Sequence, residues 1–98
     1  MSDILTALDH VLDERKQSSP EESYVASLHH NGLNKILEKI GEEATEVILS
    51  AKDMTQTGAS DALVNEVADL WFHTLVMLSH LDLNHTDVLN VLDSRMGL

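Results

Sequence analysis

Apolar residues recur at three- and four-residue spacings along most of this chain, and nowhere do they alternate with polar residues as in a strand. From about Asp3 to Lys16 the stripe is Ile4, Leu5, Leu8, Val11 and Leu12, with Ser2 or Asp3 placed to cap it. The polar run QSSPEES around Pro20 breaks the pattern, and a short helical turn at Tyr24–Leu28 is stopped by His29-His30-Asn31-Gly32. A long amphipathic helix starts near Leu33 and runs to about Met54, carrying Leu33, Ile36, Leu37, Ile40, Ala44, Val47, Ile48 and Ala51. The loop TQTGAS follows. A third helix, capped by Ser60 or Asp61, runs through Leu63, Val64, Val67, Leu70, Trp71, Leu75 and Leu78 to Ser79 or His80. Being apolar over much of its circumference, it is expected to be the most buried element. A fourth starts at Thr86 as N-cap and carries Val88, Leu89, Val91 and Leu92. The pattern predicts an all-α fold, an antiparallel bundle of about four helices joined by short loops.

Length and composition sharpen this. Ninety-eight residues make one domain, spanning 1–98, near the lower limit for a self-sufficient core. With one Trp, one Tyr and one Phe, the core must be aliphatic, and a short helical chain of this kind is expected to complete it as a homo-oligomer, most simply a homodimer. The formal net charge of −11 argues against nucleic acid as partner, and an anionic ligand would need a cation between it and the protein. The chain has no cysteine, so disulfides and thiolate metal sites are excluded. No basic segment precedes an apolar run at the N-terminus, and no stretch reaches the roughly 20 apolar residues of a membrane span; a cytoplasmic protein is expected.

The charge is unevenly placed. In GEEATEVILSAKD, residues 41–53, three glutamates fall within little more than one turn. With Ile40 at the centre of the buried stripe, Glu43 lies roughly 60° and Glu46 roughly 120° to one side, on the flank that also holds Lys35 and Lys39. Glu42 falls nearly opposite, towards solvent. On the third helix, Glu66, Asp69 and His73 share one flank of the Val67 stripe. Two helices thus each offer an i, i+3 pair of acids beside a packing face. Antiparallel packing can bring the four carboxylates together, where they repel unless a cation sits among them. Oxygen-only ligands suit Mg²⁺, with Mn²⁺ as the alternative, and the Glu-x-x-His pairs of di-iron bundles are missing. Read by themselves, the residues leave two possibilities open: acids that are merely solvated surface, and a hard-cation site.

The same residues carry a resemblance. Glu-x-x-Glu followed by Glu-x-x-Asp, here EATE (Glu43, Glu46) and EVAD (Glu66, Asp69), resembles the metal-binding signature of the all-α nucleoside-triphosphate pyrophosphohydrolase superfamily. SYVASL at 23–28, GLNKILEKIGEEATEVILSAKD at 32–53, NEVADLWFHTLVML at 65–78 and the closing LDLNHTDVLNVLDSR are similar to its phosphoribosyl-ATP pyrophosphatase branch, which acts in histidine biosynthesis. The likeness covers nearly the whole chain, least in TQTGAS and the first 18 residues. It implies Mg²⁺-dependent hydrolysis of phosphoribosyl-ATP to phosphoribosyl-AMP and pyrophosphate, a small nucleotide substrate, and a functional link to phosphoribosyl-AMP cyclohydrolase, the domain to which this enzyme is often fused. It also implies Glu43, Glu46, Glu66 and Asp69 as metal ligands and catalytic acids. Lys35, Lys39 and His73 are the candidates for substrate contact, with orienting a carboxylate as a further role for His73, against surface ion pairs for the lysines (Lys39 with Glu43) and a hydrogen-bonded core position for His73. Ser23 and Tyr24 lie in a segment able to cover the substrate, with anchoring of that segment in the core as the alternative for Tyr24, while Trp71 and Phe72 read as packing or dimer contacts rather than a base-stacking platform. His29 and His30 read as loop. Two other functions stay open: a house-cleaning pyrophosphatase for non-standard nucleotides, and a non-catalytic helical dimerisation module.

Overall fold

The computed structural model describes residues 2–97, with side chains from Ile4 onward. All regular structure among them is helical: α1 (Ser2–Glu14), α2 (Tyr24–Asn31), α3 (Leu33–Thr57), α4 (Asp61–His80) and α5 (His85–Met96), with one 3-10 turn at Arg15–Gln17. The all-α expectation holds, but there are five α-helices rather than about four. The turn expected at Tyr24–Leu28 is a full eight-residue helix, because the Ser23 hydroxyl accepts from the Ala26 N–H and caps it.

Glycine ends three of these helices, Gly97 closing α5 at φ 66°. Gly32 stops α2 at φ 99°, and Gly58 closes α3 in the left-handed conformation at φ 75°, its N–H returning to the Met54 carbonyl. α3 therefore runs to Thr57, three residues past the expected end, and the loop shrinks to Gly58–Ser60. Ser60 stands at the start of α4 as expected, yet its side chain makes no capping bond. The cap of α5 also differs from expectation. Asn84, not Thr86, holds that place: its side chain accepts from the Thr86 N–H while the Asp87 carboxylate accepts from the Asn84 N–H. The expected capping by Ser2 or Asp3 falls on side chains outside the described residues.

The three-residue loop folds α3 and α4 into an antiparallel hairpin. Its closed end carries little cover. The core lies at the other end, where Ile36 of α3 and Leu75, Val76 and Leu78 of α4 meet Leu12 of α1 and Leu28 of α2. Leu12, Ile36 and Val76 are fully enclosed. α4 is the most buried helix, as expected, but only in its second half. Towards the loop, Ile48 and Val64 are 63% and 62% exposed, so the apolar stripe that continues there finds no partner within this chain.

α5 is held at its start. The Asp9 carboxylate of α1 accepts from both the backbone N–H and the Nδ1 of His85, a buried contact. Beyond it, Val88, Leu89, Val91 and Leu92 are 40–47% exposed. Among the described residues no helix is long and apolar enough to cross a membrane.

A candidate metal centre on the helix hairpin

Midway along the hairpin, where the core ends, the flanks of α3 and α4 face each other. Glu43 is three residues beyond the half-buried Ile40, and Glu66 and Asp69 bracket the half-buried Val67, so each acid sits at the margin of a packing face. One carboxylate oxygen from each of Glu43, Glu66 and Asp69 lies within 4.8 Å of the others. These acids line a cleft of about 530 Å³ together with Glu42, Thr45 and Glu46. The convergence drawn from the helical wheel is present for three of the four expected acids. Glu46 shares the cleft but stands outside the tight cluster.

The cluster is electrostatically loaded. Partial loss of hydration, then the negative charges of Asp69, Glu46 and Glu43, hold the Glu66 carboxyl above its ordinary value. Such crowding is costly for bare carboxylates and favourable around a cation. The donor set fits a hard divalent ion: it is all oxygen, drawn from three carboxylates within 4.8 Å of one another.

His73 lies beneath this wall. It is 5% exposed. Its Nδ1 donates to the Asp69 carbonyl (2.9 Å), its Nε2 meets the Tyr24 hydroxyl (2.8 Å), and Nδ1 stands 3.7 Å from Glu43 Oε1. Expected as a substrate contact, it reaches the cleft through Glu43 and Asp69 rather than with a free nitrogen. Lys39 bonds Glu42 at 3.2 Å rather than Glu43, and that bond raises the ammonium above its ordinary value; Tyr24 and Glu43 act in the same direction. Lys35 pairs with Glu38 at 3.5 Å. Glu42, assigned to solvent by the wheel, is exposed but stands on the rim of the cleft.

Two features were less legible. Thr45, whose hydroxyl donates to the Gly41 carbonyl, lines the cleft although a lone threonine between glutamates carries no chemical signal. The second is the His29–His80 pair: His29 reads as loop in the sequence and His80 as the end of the third helix. The two Nδ1 atoms stand 3.0 Å apart with ring centroids at 5.3 Å, which is an in-plane hydrogen bond between α2 and the end of α4. Only the tertiary fold brings them together.

An all-helical scaffold sets Glu-x-x-Glu against Glu-x-x-Asp across one cleft, the arrangement that the resemblance to the all-α pyrophosphohydrolases implies. Comparison with known proteins narrows it. Residues 5–96 match the family described as Phosphoribosyl-ATP pyrophosphohydrolase. The chain is 60% identical over 97 residues to phosphoribosyl-ATP pyrophosphatase of Hydrogenovibrio crunogenus, covering 99% of this chain and 86% of that protein. It is 59% identical over 96 residues to the proteins of the same name from Burkholderia multivorans and Burkholderia vietnamiensis, in each case covering 98% of this chain and 79% of the relative. The chain belongs to the phosphoribosyl-ATP pyrophosphohydrolase family, and is an enzyme of the hydrolase class.

Proposed function

We propose that this chain hydrolyses the α–β phosphoanhydride of 1-(5-phosphoribosyl)-ATP, releasing phosphoribosyl-AMP and pyrophosphate, as the second step of histidine biosynthesis. The observation that carries the reading is the convergence of Glu43, Glu66 and Asp69 within 4.8 Å on the two helices that bear the family's acid pairs. The substrate is the one in the relatives' name. A cyclohydrolase acting on phosphoribosyl-AMP is the corresponding consumer of the product.

Mg²⁺, with Mn²⁺ as substitute, belongs among Glu43, Glu66 and Asp69, with Glu46 as the fourth acid of the set. When bound, the ion supplies Lewis acidity towards phosphate oxygens and water. The protein's part is to hold the acids in register on a stiff hairpin and to take up the proton of the attacking water on a carboxylate oxygen left free. Lys39 and Lys35, on the flank leading to the cleft, exchange Glu42 and Glu38 for substrate phosphate. His73 acts on the substrate only through the carboxylates it supports.

The test is pyrophosphate release from phosphoribosyl-ATP in Mg²⁺ and in excess chelator. Metal-dependent release is expected. A folded protein that releases none with metal present refutes the reading, and preferred turnover of deoxyuridine triphosphate would move it to nucleotide house-cleaning.

A homodimer accompanies this reading. The Cα radius of gyration is 15.0 Å, against about 13 Å for a compact chain of this length. The excess comes from a hairpin end that stands away from the core with Ile48, Leu49 and Val64 uncovered. Trp71, 61% exposed, borders an apolar groove of about 400 Å³ between α1, α4 and α5. A second copy covers such surfaces at a chain length where one core is marginal. Sedimentation equilibrium at micromolar concentration checks this, and a monomer there would exclude it.

A further inference from the structure

Two side-chain hydrogen bonds tie α2 to α4, and the one at the far end of α2 from the Tyr24–His73 contact is set by a count of hydrogens. His29 and His80 meet Nδ1 to Nδ1 at 3.0 Å, with their ring planes inclined by only 15°. Two neutral imidazoles carry two hydrogens on four nitrogens, and one of these stands between the Nδ1 atoms if the contact is a bond. A third hydrogen goes to an Nε2 and leaves that bond in place, a cation donating to a neutral ring. A fourth removes the last lone pair. Both Nδ1 atoms then carry hydrogen, and two positive rings face each other N–H to N–H across a gap that fits one hydrogen.

The surroundings do little to relieve the fourth. His29 Nε2 is enclosed and has no hydrogen-bond partner. Loss of hydration is the main influence holding the His29 imidazole below its ordinary value; His80 and Lys16 act with it, while the Leu12 carbonyl and Asp13 of α1 oppose it. Asp13, the carboxylate closest in effect, is already engaged. It accepts from the Ser79 hydroxyl and lies 3.7 Å from Lys16, whose ammonium also reaches Asp82 of the α4–α5 turn at 3.2 Å. His30, the neighbour of His29, is exposed.

Relief is available by movement of the helix end. Leu28 is the last buried residue of α2, and beyond it the His29–His80 bond is the only side-chain hydrogen bond to α4 among the described residues. A ring that binds its proton poorly in place binds it better once released, so acid favours the open helix end.

We propose that the His29–His80 pair is an acid-sensitive latch on α2: one added proton leaves the latch closed, and the second severs it and frees the C-terminal end of the helix from α4. None of the acids of the cleft takes part. The latch sits on the same short helix that carries Tyr24 to His73, so it adjusts the helix behind the cleft wall from the end remote from the site.

The test is native-state hydrogen exchange from pH 8 to about pH 5, the range in which histidines change charge, together with ¹⁵N spectra of histidine-labelled protein. Opening of the Leu28–Gly32 amides is compared with that of Leu75 and Val76 in the core of α4. The expected ratio is flat while the first proton is taken up, then rises by about tenfold per pH unit as the second is bound. The spectra should show the two rings titrating in separate steps, with the hydrogen between the Nδ1 atoms retained through the first. His80→Asn supplies the control, because its amide N–H can meet a neutral His29 and its carbonyl a charged one. Acid opening should vanish there although His29 still titrates, and the mirror variant His29→Asn gives the same comparison. A flat ratio over the whole range overturns the proposal, as do two rings that titrate together in one step. So does acid opening that persists in the asparagine variants, which would trace it to a buried charge rather than to the paired Nδ1 atoms.

Discussion

Replacing Glu43 and Glu66 together by glutamine should change stability in opposite directions with and without Mg²⁺. In chelator the parent holds three carboxylates within 4.8 Å, and the Glu66 carboxyl is held above its ordinary value by lost hydration and by its acidic neighbours. A carboxyl whose folded pKa is raised binds its proton more tightly in the folded state. Its contribution is therefore fully present below the unfolded value near 4.5 and is lost as pH rises through the folded value. Above the folded value the metal-free parent carries that loss in full. The double variant, with two charges removed and the volumes kept, should melt higher than the parent in chelator.

With Mg²⁺ the order reverses. An ion that binds only the folded state adds about 2.7 kcal/mol at one hundred times its dissociation constant. For a chain of this size each kcal/mol moves the melting temperature by about 4–8 °C. The parent should rise by roughly 10–20 °C, climbing with the logarithm of Mg²⁺ concentration. The geometry favours this because three carboxylate oxygens on two packed helices already lie within 4.8 Å of one another. Thermal melts followed by circular dichroism suffice, with NaCl at matched ionic strength in the controls, since screening alone relieves repulsion in a chain of net charge −11. An equal Mg²⁺-dependent rise in the double variant would refute the assignment of these acids. A parent that responds to NaCl as to Mg²⁺ would reduce the cluster to surface charge.

Three further outcomes test the fold that holds the site. Loss of hydration holds the His29 imidazole below its ordinary value near 6.5, opposed by the Leu12 carbonyl and Asp13 and assisted by His80 and Lys16; the unfolded chain then binds the extra proton, and stability should fall as pH drops from 6.5 through the lower folded value. His29→Gln should flatten that dependence in pH-resolved denaturant titrations. Ile36→Ala removes a side chain with no exposed surface at the junction of α1, α2, α3 and α4; urea unfolding should show a loss of about 2–5 kcal/mol, a large part of the stability of a domain this size. Asn84→Ala removes the α5 cap and should cost about 1 kcal/mol, with hydrogen exchange rising first in His85–Val88.

How much of this was readable beforehand depends on the range of the interaction involved. The i, i+3 acids and the three-and-four spacing of Ile36, Ile40, Val67 and Leu70 are local facts of helical geometry, so the wheel placed Glu43, Glu46, Glu66 and Asp69 on facing flanks, while which of them converge was settled by the packing of the two helices. Element boundaries failed where a side chain chose between neighbouring positions. Asn84 took the cap from Thr86 because Asp87 completes the reciprocal bond, a competition that periodicity does not register. Burial failed for a different reason. Ile48, Val64 and Trp71 lie on apolar stripes and yet are exposed here, since a stripe states that a face needs a partner and not which chain supplies it. The His29–His80 and Tyr24–His73 contacts join residues 51 and 49 apart, and nothing in either local sequence marks them as a pair.

The cations near the cleft bring the charge argument to its conclusion. Lys39 is bonded to Glu42 and Lys35 to Glu38, so neither offers a free positive charge to an approaching triphosphate. Glu42, Glu43, Glu46, Glu66 and Asp69 meanwhile present five carboxylates to the same space. A polyanion entering that field without a cation meets repulsion from every side. It follows that affinity for the nucleotide should be carried almost wholly by its metal complex. Substrate binding measured in chelator should therefore be undetectable, and Lys39→Ala should weaken it in Mg²⁺ alone. A nucleotide that binds equally well without the ion would mean that phosphate recognition lies elsewhere on the chain and that the acids serve the water.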